Sequence, residues 1–130
     1  IYQRHQHKLS TDIRYARKLS APRIARSRLK KAGAYLKEGK QQEFYDQIFK
    51  TLQEYLGHRF NRPVAGITSA VIDELIAGEN LDKTIADKLK ICFSDCDIAR
   101  YTSTKADLAR MKKIFSMLEE AIDYLERKKR

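Results

Sequence analysis

The segment QQEFYDQIFKTLQEYLGHRF, residues 41–60, decides the fold because its apolar side chains recur at a helical spacing. Intervals of three and four residues place these side chains on one face of an α-helix. The members of that face are Phe44, Tyr45, Ile48, Phe49, Leu52, Tyr55 and Leu56. The pattern predicts a helix that begins near Gln42 and ends between Gly57 and Asn61, since Pro63 cannot continue it.

A second helix is predicted immediately before this segment, from about residue 21 to residue 38. We expect Ser20 to cap its N-terminus, Pro22 to occupy its first turn and Gly39 to end it. Residues 1–20 have only sparse apolar positions, which predicts a weakly amphipathic helix at best. The two helices that flank Gly39 then form a helical hairpin of roughly tetratricopeptide size.

Three further helices are predicted downstream of the hairpin. The first is short, begins after an N-cap at Thr68 and ends at Gly78. The second covers about residues 81–94. The third follows a cap at Ser103 or Thr104 and runs to about residue 127, near the end of the chain.

The composition favours a single helical domain. The chain has 130 residues, of which 42% are hydrophobic and 34% charged, with only five glycines and two prolines. This length fits one domain, and so few helix-breaking residues favour long helices over a strand-rich sandwich. We therefore predict an all-α, single-domain bundle of about five to six helices. No run of 18 apolar residues and no signal-peptide pattern occurs in the sequence.

Positive charge is concentrated at the start of the chain. The net charge is +10, and the first 31 residues contain ten Lys or Arg against one acid, Asp12. The predicted organisation is a basic segment over residues 1–20 followed by a helical domain over residues 21–130. The candidate surface patch consists of Arg14, Arg17, Lys18, Arg23, Arg26, Arg28, Lys30 and Lys31.

Three interpretations of this basic patch remain open from the sequence. A nucleic-acid footprint has the required charge but lacks interleaved aromatic residues beyond Tyr15. A solvated helix face needs no ligand. A segment just cytoplasmic of a membrane helix satisfies the positive-inside bias and would lie against anionic head groups. Because the sequence begins at Ile1 and its first methionine is Met111, we expect the chain to be part of a longer protein.

The stretch KICFSDCDIARY, residues 90–101, is the strongest candidate for chemistry. A zinc site needs about four Cys or His ligands, and His58 is the only histidine beyond the N-terminal segment. We interpret Cys92 as a core residue and Cys96 as a half-buried position where the helix ends, with no disulfide between them. A turn is expected over residues 95–102.

Three residues of this turn are predicted to form a structural clamp. Asp97 and Arg100 are spaced to make a bidentate ion pair, and Tyr101 can pack its ring inward. An enzyme centred on Cys92, Cys96 and Asp97 is the competing hypothesis. The sequence contains no G-x-S-x-G motif and no glycine-rich phosphate loop. We therefore assign no catalytic, cofactor-binding or metal-binding residue, no cofactor and no small-molecule substrate.

The order of three segments resembles the C-terminal region of the BatD family, the oxygen-tolerance proteins of the Bacteroides aerotolerance operon. The segments are RKLSAPRIARSRLKKA (17–32), EFYDQIFKTLQEYLGHRFNRPVAGITSAVIDELI (43–76) and LKICFSDCDIARYTS (89–103). The resemblance covers roughly residues 14 to 125. The matching residues are Glu43, Phe44, Tyr45, Leu52, Tyr55, Leu56, Pro63, Gly66, Thr68, Leu75, Cys96, Asp97, Ala99, Arg100 and Tyr101.

The resemblance implies a location and a set of partners. BatD-like proteins look like membrane-anchored bacterial proteins, with immunoglobulin-like extracytoplasmic domains, a transmembrane helix and a cytoplasmic helical tail. They are encoded beside MoxR-type AAA+ ATPases and von Willebrand factor A proteins, and no catalytic residues are established for them. On this basis the chain is expected to be the tail on the cytoplasmic side of the inner membrane, where it binds those proteins. A basic helical nucleic-acid-binding domain is the alternative.

Overall fold

A computed structural model describes residues 2–99 and 107–128, and for residues 2–15 and 17 it describes the helical backbone only. Within these ranges the chain forms five α-helices and one 3-10 helix, and no strand. The predicted all-α bundle is confirmed. The elements are α1 (Tyr2–Glu38), α2 (Gln41–Arg59), the 3-10 helix Val64–Gly66, α3 (Ser69–Glu79), α4 (Lys83–Ala99) and α5 (Leu108–Lys128).

The hairpin of α1 and α2 is the most extensive helix pair of the fold. Gly39 adopts a positive φ of 71°, and the amide of Lys40 donates to the carbonyl of Tyr35 at 2.9 Å. A left-handed residue at this position ends α1 and reverses the chain within two residues, as predicted for Gly39. The likeness of this hairpin to a tetratricopeptide unit stays a prediction.

The predicted helix start at Ser20 is wrong. One continuous helix, α1, runs through Ser20 and contains Pro22. An internal proline removes one backbone hydrogen bond, yet it does not forbid helix on its N-terminal side. The residues just before Pro22, among them Lys18 and Leu19, have good helix propensity. The expected boundary between residues 20 and 21 therefore lies inside one helix, and a division into two domains there stays a prediction.

The apolar face predicted for α2 is the centre of the core, and all seven of its residues are buried. Against it α1 contributes mostly small side chains, which allow the two backbones to approach closely. The α1 residues buried in this way are Ala21, Ala25, Leu29 and Ala32. Helices α4 and α5 also pack against α2. The rings of Phe49 on α2 and Phe93 on α4 have their centroids 5.2 Å apart, which fixes the two helices against each other.

Helix α3 begins where the sequence predicts but ends later than predicted. Thr68 is the N-cap as expected, because its hydroxyl accepts from the amide of Val71 at 3.3 Å. The helix does not end at Gly78. It continues to Glu79, and Asn80 takes the left-handed conformation with φ 50°. Asparagine tolerates this conformation better than most residues, so it can replace glycine at a helix end.

The turn predicted from residue 95 is wrong over residues 95–99, which form the last turn of α4. Cys96 is completely buried rather than a half-buried cap, because it continues the buried face of Ile85, Leu89 and Cys92. The cap of α5 is Asp107, whose carboxylate accepts from the amide of Arg110 at 3.2 Å. Ser103 and Thr104, the residues predicted for that role, lie outside the described residues.

Candidate interaction surfaces

The two cysteines lie in the core of the bundle. Both side chains are completely buried, and the Cys92 thiol donates to the carbonyl of Ile114 at 3.7 Å. Burial, with a smaller effect of the Asp95 carboxylate, raises the pKa of the Cys92 thiol to about 12. Among the side chains that the structure describes, no three His, Cys, Asp or Glu are grouped so that they could hold a metal ion.

The predicted clamp of Asp97, Arg100 and Tyr101 is only partly within the described part of the chain. Arg100 and Tyr101 lie outside it, so the clamp stays a prediction. Asp97 is half-buried in the last turn of α4, and its side chain lines a groove. The structure therefore places this carboxylate at a surface between helices.

The groove lies where α2, the N-terminus of α3 and α4 meet, and it has a volume of about 650 Å³. Its apolar part includes the two nearly buried rings of Phe49 and Phe93, while Asp97 and Gln53 supply polar groups. The amide of Gln53 donates to the carbonyl of Ile67 at 3.2 Å, which ties α2 to the segment before α3. The lining is completed by Ala65, Ile67, Thr68, Ser69 and Ala70.

Two arginines of the basic patch are ion-paired within the fold. Arg26 donates through Nη2 to Oδ1 of Asp123 on α5 at 2.7 Å, and this hydrogen bond is the main cause of a raised pKa at Arg26. Arg28 makes two hydrogen bonds to Glu54 on α2, at 2.7 and 2.8 Å. These side chains flank the buried face of α1 and join it to its neighbours. They are structural members of the patch.

Four other basic side chains of the patch are in contact with solvent. Lys18, Arg23, Lys30 and Lys31 are exposed, and none has an ion-pair partner among the described residues. Lys37 has the same properties, although the sequence analysis did not include it. Its spacing of seven residues from Lys30 was the signal that could have identified it. For Arg14 and Arg17 only the helical backbone is described, so their part in the patch stays a prediction.

A buried polar cluster at the end of α2 was also missed by the sequence analysis. The Tyr55 hydroxyl donates to Oε2 of Glu126 on α5 at 2.5 Å, and Nη1 of Arg59 lies 3.5 Å from the same oxygen. Burial, and then the hydrogen bond to Glu126, raises the pKa of Tyr55. Tyr55 belongs to the apolar face of α2, and a buried tyrosine usually needs a hydrogen-bond partner for its hydroxyl. This was the signal in the sequence that indicated a polar partner.

Within the described residues, the fold and these surfaces define a class, namely an all-α bundle of five α-helices with an interhelical groove and a basic helix face. Among the described residues, no helix is both long and apolar enough to cross a membrane. Comparison with protein-family models, curated proteins and solved structures finds no match to this chain.

Proposed function

We propose that the chain is a non-enzymatic protein-interaction domain, the cytoplasmic tail of a membrane-anchored BatD-like protein. Its partners would be a MoxR-type AAA+ ATPase and von Willebrand factor A proteins, in a complex that acts in aerotolerance or a stress response. The sequence resemblance motivates the choice of partners. The observation that carries the interaction role is the groove between α2, α3 and α4.

The chemistry of the groove suits a short segment of a partner protein. The rings of Phe49 and Phe93 offer apolar contact, and they are held by core packing rather than by loops. Asp97 lies on one wall and gives the groove a polar edge beside the two rings. A rigid aromatic surface with a polar edge is typical of peptide-binding grooves.

Direct binding measurements test the proposal. The purified chain is titrated with a purified MoxR-type ATPase and, separately, with a von Willebrand factor A protein encoded beside it. Ala70 is exposed on the groove wall, so Ala70→Tyr fills the groove without disturbing the core. We expect this change to weaken partner binding by at least about tenfold, a loss of about 1.4 kcal/mol.

Ala77→Tyr is the matched control, since Ala77 is exposed on the same helix and does not line the groove. This variant should bind like the parent chain. If neither partner binds the parent chain, the assignment of partners is wrong. If a partner binds and both variants bind it equally well, the interaction is real but does not use the groove.

A further inference from the structure

A line of exposed side chains follows the outer face of α1. We name it the outer stripe, and it consists of Leu19, Arg23, Lys30 and Lys37. At about 100° per residue these positions lie within about 40° of one another around the helix, and they extend over about 27 Å. Leu19 is 52% exposed and is the only large hydrophobic residue strongly exposed on the described part of α1. The stripe thus combines one apolar side chain with three cations.

The charge of this face is not balanced locally. From residue 16 to residue 37 the sequence contains no acidic residue. Arg26 and Arg28 turn towards α5 and α2, where Asp123 and Glu54 neutralise them. Glu119 of α5 lines a shallow depression together with Lys30, but within the described residues the two form no ion pair. The three cations of the outer stripe are therefore available to an external anion.

We propose that the outer stripe binds the surface of an anionic phospholipid bilayer. Cations at intervals of seven residues along one helix face match a flat, laterally mobile array of phosphates. The aligned Leu19 favours a bilayer over nucleic acid, because an apolar side chain gains from entering the head-group boundary and gains nothing beside a phosphate backbone. None of the four residues of the outer stripe is aromatic, so none can stack with bases.

This inference goes beyond the proposed function, since the groove and the outer stripe share no residue. Each Lys or Arg near an anionic surface contributes about 1 kcal/mol, or about fivefold in the partition coefficient. Three such side chains give roughly 100-fold, a weak and reversible attachment that depends on salt. The outer stripe would hold α1 parallel to the bilayer while the groove remains free for a protein.

Vesicle co-sedimentation of the full 130-residue chain tests the inference. The probes are vesicles of phosphatidylcholine alone and of phosphatidylcholine mixed with phosphatidylglycerol. We expect binding only to the anionic vesicles, with loss of binding as NaCl rises from about 0.05 M to about 0.5 M. The triple variant Arg23→Gln, Lys30→Gln and Lys37→Gln should reduce the partition coefficient by roughly 100-fold.

The matched control removes the same charge elsewhere, through Lys83→Gln, Lys112→Gln and Lys113→Gln. These lysines are exposed on α4 and α5 and have no ion-pair partner among the described residues. The control variant should keep most of the vesicle binding. Equal losses in the two triple variants would overturn the inference in favour of a net-charge effect. Circular dichroism and thermal melting of both variants establish that each remains folded.

Two more outcomes separate a bilayer from nucleic acid. Leu19→Ser should weaken vesicle binding severalfold without changing the net charge, because it removes the apolar contact. The same chain is also titrated with duplex DNA and single-stranded RNA at equal ionic strength. Tight nucleic-acid binding that the outer-stripe variant abolishes, with no binding to anionic vesicles, would overturn the bilayer assignment.

Discussion

Arg28 of α1 and Glu54 of α2 form a two-pronged ion pair, with Nε donating to Oε2 at 2.7 Å and Nη2 donating to Oε1 at 2.8 Å. Both side chains are about a quarter to a third exposed, so water screens the pair only in part. Two parallel hydrogen bonds fix the distance and the rotation between the helices of the hairpin. One charge of the predicted basic patch is therefore used to orient α1.

The first prediction is that Arg28→Ala lowers the free energy of unfolding by about 1–2 kcal/mol. It removes both hydrogen bonds and leaves the half-buried Glu54 carboxylate without its partner. Arg28→Lys should recover only part of the loss, since an ammonium cannot make the two-pronged contact. Urea denaturation measures both variants. Arg23→Ala is the control, and because Arg23 is exposed and unpaired among the described residues, it should change stability by less than about 0.5 kcal/mol.

The sequence was sufficient for features that depend on local pattern. The face of α2, the stop at Gly39 and the cap at Thr68 each follow from a few neighbouring residues, and all three are confirmed. The end of α4 was misjudged because Asp95 and Asp97 were interpreted as turn residues. The polar residues on the outer side of a helix are of the same types as those of a turn. The buried Cys96, four residues after Cys92, continues the helical spacing of the buried face.

Contacts between distant residues could not be predicted in this way. Arg26 and Asp123 are 97 positions apart, and Tyr55 and Glu126 are 71 apart. Nothing in the local sequence separates Arg26 from Lys30, although Arg26 is paired with Asp123 and Lys30 has no ion-pair partner among the described residues. Which charges of the basic patch are paired within the fold therefore depends on how α1 packs against α2 and α5, and the local sequence does not show this.

A second prediction concerns two glycines that differ in their surroundings. A Cβ atom at Gly57 would lie 3.0 Å from the carbonyl oxygen of Arg62 and 3.2 Å from Cα of Val64, and backbone atoms cannot move aside cheaply. We expect Gly57→Ala to destabilise the fold by about 1–3 kcal/mol through this overpacking. At Gly78 nothing lies within 4 Å. Gly78→Ala should instead stabilise the chain by about 0.5–1 kcal/mol, because alanine loses less entropy in a helix.

Thermal melting of the two glycine variants, run in parallel, checks this prediction. Both substitutions add one methyl group to a helical residue. A decrease of the melting temperature for one variant and an increase for the other therefore reports the close contacts around Gly57. Similar melting temperatures for both variants would contradict the close approach of the 3-10 helix to α2.

A third prediction is that neither cysteine reacts with a thiol reagent while the protein is folded. Cys92 and Cys96 are completely buried, and with a pKa of about 12 only about one Cys92 in ten thousand is thiolate at pH 8. Absorbance with Ellman's reagent should report no fast-reacting thiol in buffer and two in concentrated urea. Ile91→Cys is the positive control, since Ile91 is 45% exposed on the same helix. A fast reaction of the parent chain in buffer would indicate an accessible thiol and revive the enzyme hypothesis.

The last prediction concerns stability at alkaline pH. Because the pKa of Tyr55 is raised by burial and by its hydrogen bond to Glu126, the folded state keeps this proton after an unfolded chain would lose it. The stabilisation that this proton gives is complete below the pKa of tyrosine in the unfolded chain, about 10. It is lost as the pH rises from there towards the pKa of Tyr55 in the folded state. In urea denaturation, Tyr55→Phe should cost about 1–2 kcal/mol at pH 7 and decline less than the parent above pH of about 10. Tyr35→Phe is the control, because it removes a hydroxyl that has no hydrogen-bond partner among the described residues, and it should retain the parent pH profile. Identical profiles for the parent and Tyr55→Phe would contradict the coupling.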